Sequence, residues 1–389
     1  MKNILSKEFK KNVLLLILTV IIMSLLFEGF FRLFTPQLTY KKAVISSPSV
    51  FAESEYLPWQ LKPYASDTHS SHFDEFKVNV TINSLGMRDY EHKITKNDAK
   101  RILVLGDSFT YGYGVELDET YSKVLELELN NDAKRQYEVL NAGYASGYSP
   151  DTYLLYLKKE GIEFRPDIVI VGFTIGNDIT DLFKNRVIED KESIRIVSED
   201  YYVDEDNRLR KPSYYKKSGP IAFLNSNSHF FIFAKNNFVS IRGGVDKFFQ
   251  KQSKNNDVYD VEYDEELKGK WDEVEKIFAE MIALAEGNSA KLIVVLIPRK
   301  IQVYDENWED YSTHSSYEVD RTKPQKLFMG ICARNSIECI DLYPAFKKEA
   351  KEEFYFKKDG HWTKEGHEFA AKRIKEELLK RGIIKDVMG

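Results

Sequence analysis

Ser108 stands in Arg101-Ile-Leu-Val-Leu-Gly-Asp-Ser-Phe-Thr110, where an aliphatic run gives way to a glycine, an acid and a hydroxyl just where a helix should begin. A strand that stops at Gly106 carries the serine oxygen to the carboxyl edge of a sheet, where open α/β folds place their ligands. The helix N-terminus beyond it offers free backbone N–H groups and the positive end of a dipole, which stabilise negative charge developing on an acyl carbonyl. In isolation the same three residues also read as a βα turn with Ser108 as N-cap.

Three further motifs bear on that choice. Asn141-Ala-Gly-Tyr-Ala-Ser-Gly147 follows the apolar run Tyr137 to Leu140, and its glycines permit close backbone approach, so that the Gly147 N–H can point at a substrate oxygen. Gly176-Asn177-Asp178 ends the strand-like run Asp167 to Phe173. The Asn177 amide is a second oxyanion donor there, or else half of an Asn-Asp helix cap. Asp359-Gly-His361-Trp-Thr363 sets a carboxylate two residues before an imidazole. A carboxylate that fixes the tautomer of a histidine, which in turn deprotonates a serine, is the logic of a catalytic triad.

Taken in order, these four pieces resemble the SGNH (GDSL-type) hydrolase family, over about residues 100 to 385. The resemblance implies Ser108 as nucleophile, His361 as base and Asp359 as its acid partner. It also implies an oxyanion hole of the Ser108 N–H, the Gly147 N–H and the Asn177 amide. The fold it implies is α/β: a flavodoxin-like three-layer α/β/α arrangement with a central parallel sheet. Two departures stand out. Most of the family spaces the last pair Asp-x-x-His, whereas position 358 is Lys and the pair is Asp-x-His; that spacing is similar to the branch containing alginate-type O-acetyltransferases. Gly143 also competes with Gly147 as the oxyanion glycine.

The elements that must position these residues are legible as a pattern. Strand-like runs at 101–105, 137–140, 167–173, 291–297 and 337–341 alternate with helical stretches, which predicts a parallel sheet covered by helices on both faces. Trp271, Val274, Ile277, Phe278, Met281 and Leu284 or Ala285 recur at helical spacing, with Gly287-Asn288 as the stop. The last helix begins after Thr363 as N-cap, and His367 in its first turns reads as a surface or capping residue.

Val13 to Phe27 is almost unbroken apolar sequence, extended through Gly29-Phe-Phe31 and Leu33-Phe34. It reaches the roughly 20 residues that a bilayer core requires. Lys2, Lys7, Lys10 and Lys11 precede it and keep the N-terminus cytoplasmic. No small-x-small site closes it, so residues 1–36 read as an uncleaved transmembrane signal anchor in the cell membrane, with the remainder extracytoplasmic. Residues 37–98 form an extension containing the half-buried strand pattern Phe76 to Ile82, and Arg88 at its end faces either substrate or a core acid. Residues 99–385 are the hydrolase domain.

Between Asn177 and about residue 265 the chain is far longer than a βα connection of about 2 to 6 residues. The part from about 185 to 265 reads as a lid-like insertion, with Tyr201, Tyr202, Tyr214 and Tyr215 as substrate contacts and Phe230 to Phe233 as core packing.

Composition narrows the rest. With 389 residues, 43% hydrophobic and 13% aromatic, the chain can bury a large core. A net charge of -5 disfavours nucleic acid as a partner. Two cysteines, Cys332 and Cys339, are too few for a disulfide scaffold and read as buried thiols or as one bridge between a helix and the next strand. His69 and His72 read as solvated residues of a Ser-rich loop. No metal or cofactor is expected, because the histidines are scattered and no phosphate cradle or dinucleotide fingerprint is present. The expected activity is cleavage or transfer of O-acyl, chiefly O-acetyl, groups on a surface glycan. The expected partners are the acylated glycan or a small acyl ester, the membrane, and proteins of polysaccharide assembly. The competing readings are an idle glycan-binding or assembly protein on the same fold, and a lipid or thioester hydrolase.

Overall fold

The structure is a computed structural model that describes residues 7–37, 39, 47–131, 136–190, 193–210, 219–235, 257–315 and 317–384. The chain divides into two compact units, Met1–Ser46 with Ser213–Ser253, and Ser47–Pro212 with Lys254–Gly389.

The first unit is helical. Helix α1 (Lys7–Phe34) is long and apolar enough to cross a membrane, and it exposes side chains such as Leu16, Leu25 and Leu26. The helix Pro220–Asn227 and a helix over 229–235 complete it. Phe230 and Phe233 pack here against Phe27 and Phe31 of α1 rather than against a sheet, which corrects the expectation of core packing.

The second unit begins with two antiparallel hairpins, β1 (Phe51–Ala52) with β2 (Gln60–Leu61) and β3 (Ser66–Ser70) with β4 (Lys77–Thr81). In β4 the residues alternate between exposed and buried, as the pattern at 76–82 predicts. The central strands then appear: β5 (Lys100–Gly106), β6 (Tyr137–Gly143) and β7 (Ile168–Thr174). Two short hairpins follow, β8 (Asn185–Glu189) with β9 (Ile194–Ser198), and β10 (Tyr202–Val203) with β11 (Leu209–Arg210). The last strands are β12 (Lys291–Ile297) and β13 (Glu338–Asp341). β13-β12-β7-β5-β6 form one sheet, and every pairing in it is parallel. The five runs read from the sequence are these five strands.

Alternation along β5 builds the two faces, because successive side chains of a strand point to opposite sides. Leu103 and Leu105 join one cluster, with Phe278 of the helix Glu265–Gly287 and Phe328; Ile102 and Val104 join the other. Between the strands run α2 (Ser108–Tyr111), α3 (Tyr121–Asn131), α4 (Pro150–Lys159), α5 (Asn177–Leu182), α6 (Glu265–Gly287), α7 (Lys323–Arg334) and α8 (Lys364–Lys380). The second face is closed by Leu125 and Leu129 of α3 and by Ala371, Ile374 and Leu378 of α8. Thr363 caps α8 as predicted, its side chain accepting from the Gly366 N–H. His367 is buried, not on the surface: its Nδ1 accepts from the Tyr121 N–H and so caps α3.

The first part of the long insertion packs on the extension. Ile196 N–H donates to Tyr56 O (2.8 Å), and Phe51 N–H donates to Asn207 O (2.9 Å).

Cys332 of α7 and Cys339 of β13 are joined in a disulfide, with their Cα atoms 6.2 Å apart, so the two are not free thiols. Closing a loop seven residues apart in sequence removes conformational freedom from the unfolded chain, a contribution of about 2 kcal/mol. Replacing both cysteines by serine is expected to lower the unfolding free energy in urea by about that amount. Equal stability of the variant and of the oxidised parent would show that the bridge contributes nothing.

Candidate active site

At the carboxyl edge of the sheet, Gly106 of β5 lies in register with Gly143 of β6 and Gly172 of β7. Helix α2 sits directly on this row. A Cβ at Gly106 would stand 2.1 Å from Thr110 Oγ1, one at Gly143 would stand 2.3 Å from Tyr111 N, and one at Gly172 would stand 2.8 Å from Thr110 Oγ1. Only bare backbone in three neighbouring strands lets the helix that opens with Ser108 come down so close.

The N-cap of that helix is Asp107 and not Ser108. Its Oδ1 accepts from Phe109 N–H (3.0 Å) and from the Thr174 hydroxyl at the end of β7 (3.0 Å); its Oδ2 accepts from the Asn177 amide (2.8 Å). Complete burial pushes the Asp107 carboxyl above its ordinary range, against the hydrogen bonds from Asn177, Phe109 and Thr174 that favour its charged form. Ser108 becomes the first helical residue, where backbone N–H groups have no intrahelical partner.

Ser108 Oγ lies 2.8 Å from His361 Nε2, and His361 Nδ1 is hydrogen-bonded to Asp359 Oδ1. With Asp359 ionised, the imidazole proton sits on Nδ1 and leaves Nε2 to accept from the serine hydroxyl. Burial pushes the Asp359 carboxyl up, but the hydrogen bond and charge of His361 outweigh it and hold the group below its ordinary value. The loop that carries the pair is tied down from outside: Glu75 accepts from the N–H groups of Lys358 (2.8 Å) and Asp359 (2.9 Å), and Lys300 Nζ donates to Phe356 O (3.1 Å). Tyr113 stacks on the His361 ring at 4.3 Å, with Phe109 tilted against it at 5.0 Å.

The oxyanion donors expected from the motifs are Asn177 and Gly147, with Gly143 as the competing glycine. Asn177 opens α5, whose N-cap is Gly176, so the asparagine is not the cap. One N–H of its amide is held by Asp107, leaving the other to donate. Gly143 is engaged, its N–H donating to Asn141 Oδ1 (3.0 Å) beneath α2. Gly147 lies in the next loop at φ +71°, with no hydrogen bond on its N–H among the described residues, and is the available donor of the two.

Of the expected substrate contacts, Arg88 is only 1% exposed. Its guanidinium donates to the carbonyls of Gly112 (2.5 Å), Val115 (2.6 Å), Tyr111 (3.0 Å) and Asn79 (3.2 Å), so it fastens the turn after α2 and faces neither substrate nor a core acid. Gly112, at φ +82°, ends α2. Tyr201 is half-buried under Gly147, where a Cβ would meet its ring at 2.7 Å, and Tyr202 is half-buried in β10. Tyr214 and Tyr215 lie outside the described residues.

Several residues at the site gave no signal in the sequence. Glu75 and Lys300 act from distant loops. His69 is buried in β3, not solvated, and it packs edge-on against Tyr113 at 4.4 Å. Burial holds its pKa down to about 3, so it is neutral at neutral pH. Arg299 sets its guanidinium beside Gly176, where a Cβ would be 3.4 Å from Nη1, next to Asn177.

A serine on a sharp strand-to-helix turn, an Asp-x-His pair from a C-terminal loop and an asparagine on the neighbouring strand end thus meet at the carboxyl edge of the sheet. Residues 256–387 match the family model described as the SGNH hydrolase-like domain of the acetyltransferase AlgX. That stretch holds Asp359 and His361, while Ser108, Gly147 and Asn177 lie before it. No curated protein matches the chain. Solved structures similar to it include a lipase/acylhydrolase from Enterococcus faecalis (17% identity, 72% of this chain and 96% of that one, TM-score 0.37). A GDSL-like lipase from Bacteroides thetaiotaomicron is 16% identical over 75% of this chain and 93% of its own (TM-score 0.37). An acetyl xylan esterase is 13% identical over 72% of this chain and all of its own (TM-score 0.40).

The depressed pKa of Asp359 has a definite pH consequence. A carboxylate held below its unfolded value contributes stability that is fully present above the unfolded pKa, about 3.9, and is lost as pH falls through the folded value. The stability gap between the parent and Asp359→Asn is therefore expected to be constant above about pH 5 and to close below about pH 4. Urea melts of both across that range measure it; a gap that does not change with pH would deny the coupling to His361.

Proposed function

We propose that this protein is a membrane-anchored, extracytoplasmic serine esterase or acyltransferase acting on O-acyl, chiefly O-acetyl, esters of a surface glycan. The observation that carries the reading is the hydrogen-bonded chain from Ser108 through His361 to Asp359. Ser108 Oγ attacks the acyl carbonyl as His361 Nε2 takes its proton, and Asp359 stabilises the imidazolium that results. The carbonyl oxygen becomes an oxyanion received by the Ser108 N–H, the Gly147 N–H and the free N–H of Asn177. The C–O bond to the sugar then breaks, His361 returns the proton to the leaving oxygen, and the acyl group stays on Ser108. Water as the second acceptor makes the reaction a hydrolysis; another sugar hydroxyl makes it a transfer.

Glycan as substrate class is supported by the Asp-x-His spacing and by the acetyltransferase description of the matching family model. The membrane reading is supported by α1 and by the lysines before it, which favour a cytoplasmic N-terminus. In this reading residues 1–36 are the anchor, 37–98 the extension and 99–385 the hydrolase domain. The insertion at about 185–265 selects the acceptor, with Tyr201 at the Gly147 loop as its nearest aromatic.

The purified protein, incubated with a chromogenic acetyl ester with and without an oligosaccharide acceptor, should release acetate or acetyl-sugar, distinguished by mass. Ser108→Ala should lose about three to six decades of turnover with its fold intact; retention of more than a tenth of the parent activity would sink the proposal. Asn177→Ala should lose about two to three decades in kcat with little change in KM. If the folded fraction of that variant keeps full activity, Asn177 only braces Asp107.

A further inference from the structure

Helix α1 carries one acid deep in its apolar run, and the segment 219–235 is built around it. The Glu28 carboxylate accepts from the Ser228 hydroxyl (2.7 Å) and from the backbone N–H groups of Phe230 (3.0 Å) and His229 (3.1 Å). It thereby pairs the donors that the first turn of the 229–235 helix leaves open. Arg32 closes the group, with Nε on Glu28 (2.6 Å) and Nη2 on Asn227 O (2.7 Å) at the end of the helix Pro220–Asn227. Gln37 N–H donates to His229 Nδ1 (2.8 Å). Phe230 stacks on Phe27 at 5.2 Å, and Phe233 stacks on Phe31 at 4.2 Å.

These contacts fix a depth. Lys10 and Lys11 mark one end of the apolar run, and a bilayer core takes roughly 20 residues, so a span counted from Asn12 closes near Phe31. Glu28 then lies in the last turn of that span, where a charge is costly unless protein groups satisfy it. The groups that satisfy it belong to 228–230, which must reach the same level. The helix Pro220–Asn227 opens with Pro-Ile-Ala-Phe-Leu, a stretch with no polar stripe, and its Ile221 and Phe223 are 68% and 67% exposed. Two large apolar side chains exposed on the first turns of this helix call for a medium other than water.

We infer that residues 219–235 are a second membrane contact: an interfacial element seated in the leaflet at the C-terminal end of α1, tethered there by Glu28, with Ile221 and Phe223 in the lipid. The inference rests on the reading of α1 as a membrane span.

The test uses the full chain in phosphatidylcholine vesicles, with an environment-sensitive fluorophore on single introduced cysteines, the native pair being bridged. Three positions are labelled: Leu16→Cys in mid-span, Phe223→Cys, and Leu127→Cys on exposed α3 as the aqueous reference. Lipids brominated deep in the chain should quench the label at 16. Lipids brominated near the glycerol should quench the label at 223 at least twofold more than the label at 127. Adding Glu28→Leu, which keeps α1 apolar but removes the acceptor, should bring position 223 down to the level of 127 and leave position 16 unchanged. Quenching at 16 with none at 223 would overturn the inference while the anchor stands, as would crosslinking of 223 between two chains in place of quenching. Persistence of full quenching at 223 in Glu28→Leu would overturn the tether. Absence of quenching at 16 would remove the anchor itself, and the inference with it.

Discussion

Asp107 is the carboxylate on which the site is hung. Buried and one residue before Ser108, it gathers the Phe109 N–H at the start of α2, the Thr174 hydroxyl at the end of β7 and the Asn177 amide at the start of α5. One side chain thus fixes both the strand-to-helix turn that carries Ser108 and the Asn177 amide. A buried acid with this many donors is costly to leave partly paired, so the three connections hold or fail together. The row of Gly143, Gly106 and Gly172 supplies the other half of the constraint, since any side chain there would lift α2 off the sheet edge.

His361 reaches this frame from far along the chain. Residues 253 positions apart bring Ser108 Oγ and His361 Nε2 within hydrogen-bond distance, and nothing local to the Asp-x-His loop ensures it. Glu75 and Lys300 hold the loop backbone, and Tyr113, itself packed on His69 and Phe76, presses on the imidazole ring. The described part of the 37–98 extension, from residue 47, therefore braces this edge: Glu75 holds the backbone of the Asp-x-His loop, His69 packs on Tyr113, and Arg88 fastens the turn after α2. These contacts hold the imidazole in one orientation, which is the preorganisation that the proposed mechanism needs.

The first unit follows a different logic. Its packing is between Phe27, Phe31, Phe230 and Phe233, and its polar centre is an acid placed in an apolar helix and answered by backbone donors. A lone carboxylate in such a run reads as an interruption of the span; paired with the Ser228 hydroxyl and the His229 and Phe230 backbone N–H groups it becomes a point of attachment.

The amino-acid sequence by itself determined the sheet, the glycine turns, the candidate residues of the site and the apolar helix. These follow from short-range regularities: β-branched runs between helical periods, glycine where backbones meet, an acid two residues before an imidazole. The five strands read at 101–105, 137–140, 167–173, 291–297 and 337–341 agree with the structure to within about one to three residues at their ends. Only the tertiary structure decided what each polar side chain bonds to. It turned Arg88 from a substrate contact into a brace of four carbonyls, buried His69 and His367, joined Cys332 to Cys339, and set Gly147 rather than Gly143 free to donate. The physical reason is range. Burial and hydrogen-bond pairing depend on neighbours tens or hundreds of residues away, whose approach no local pattern records.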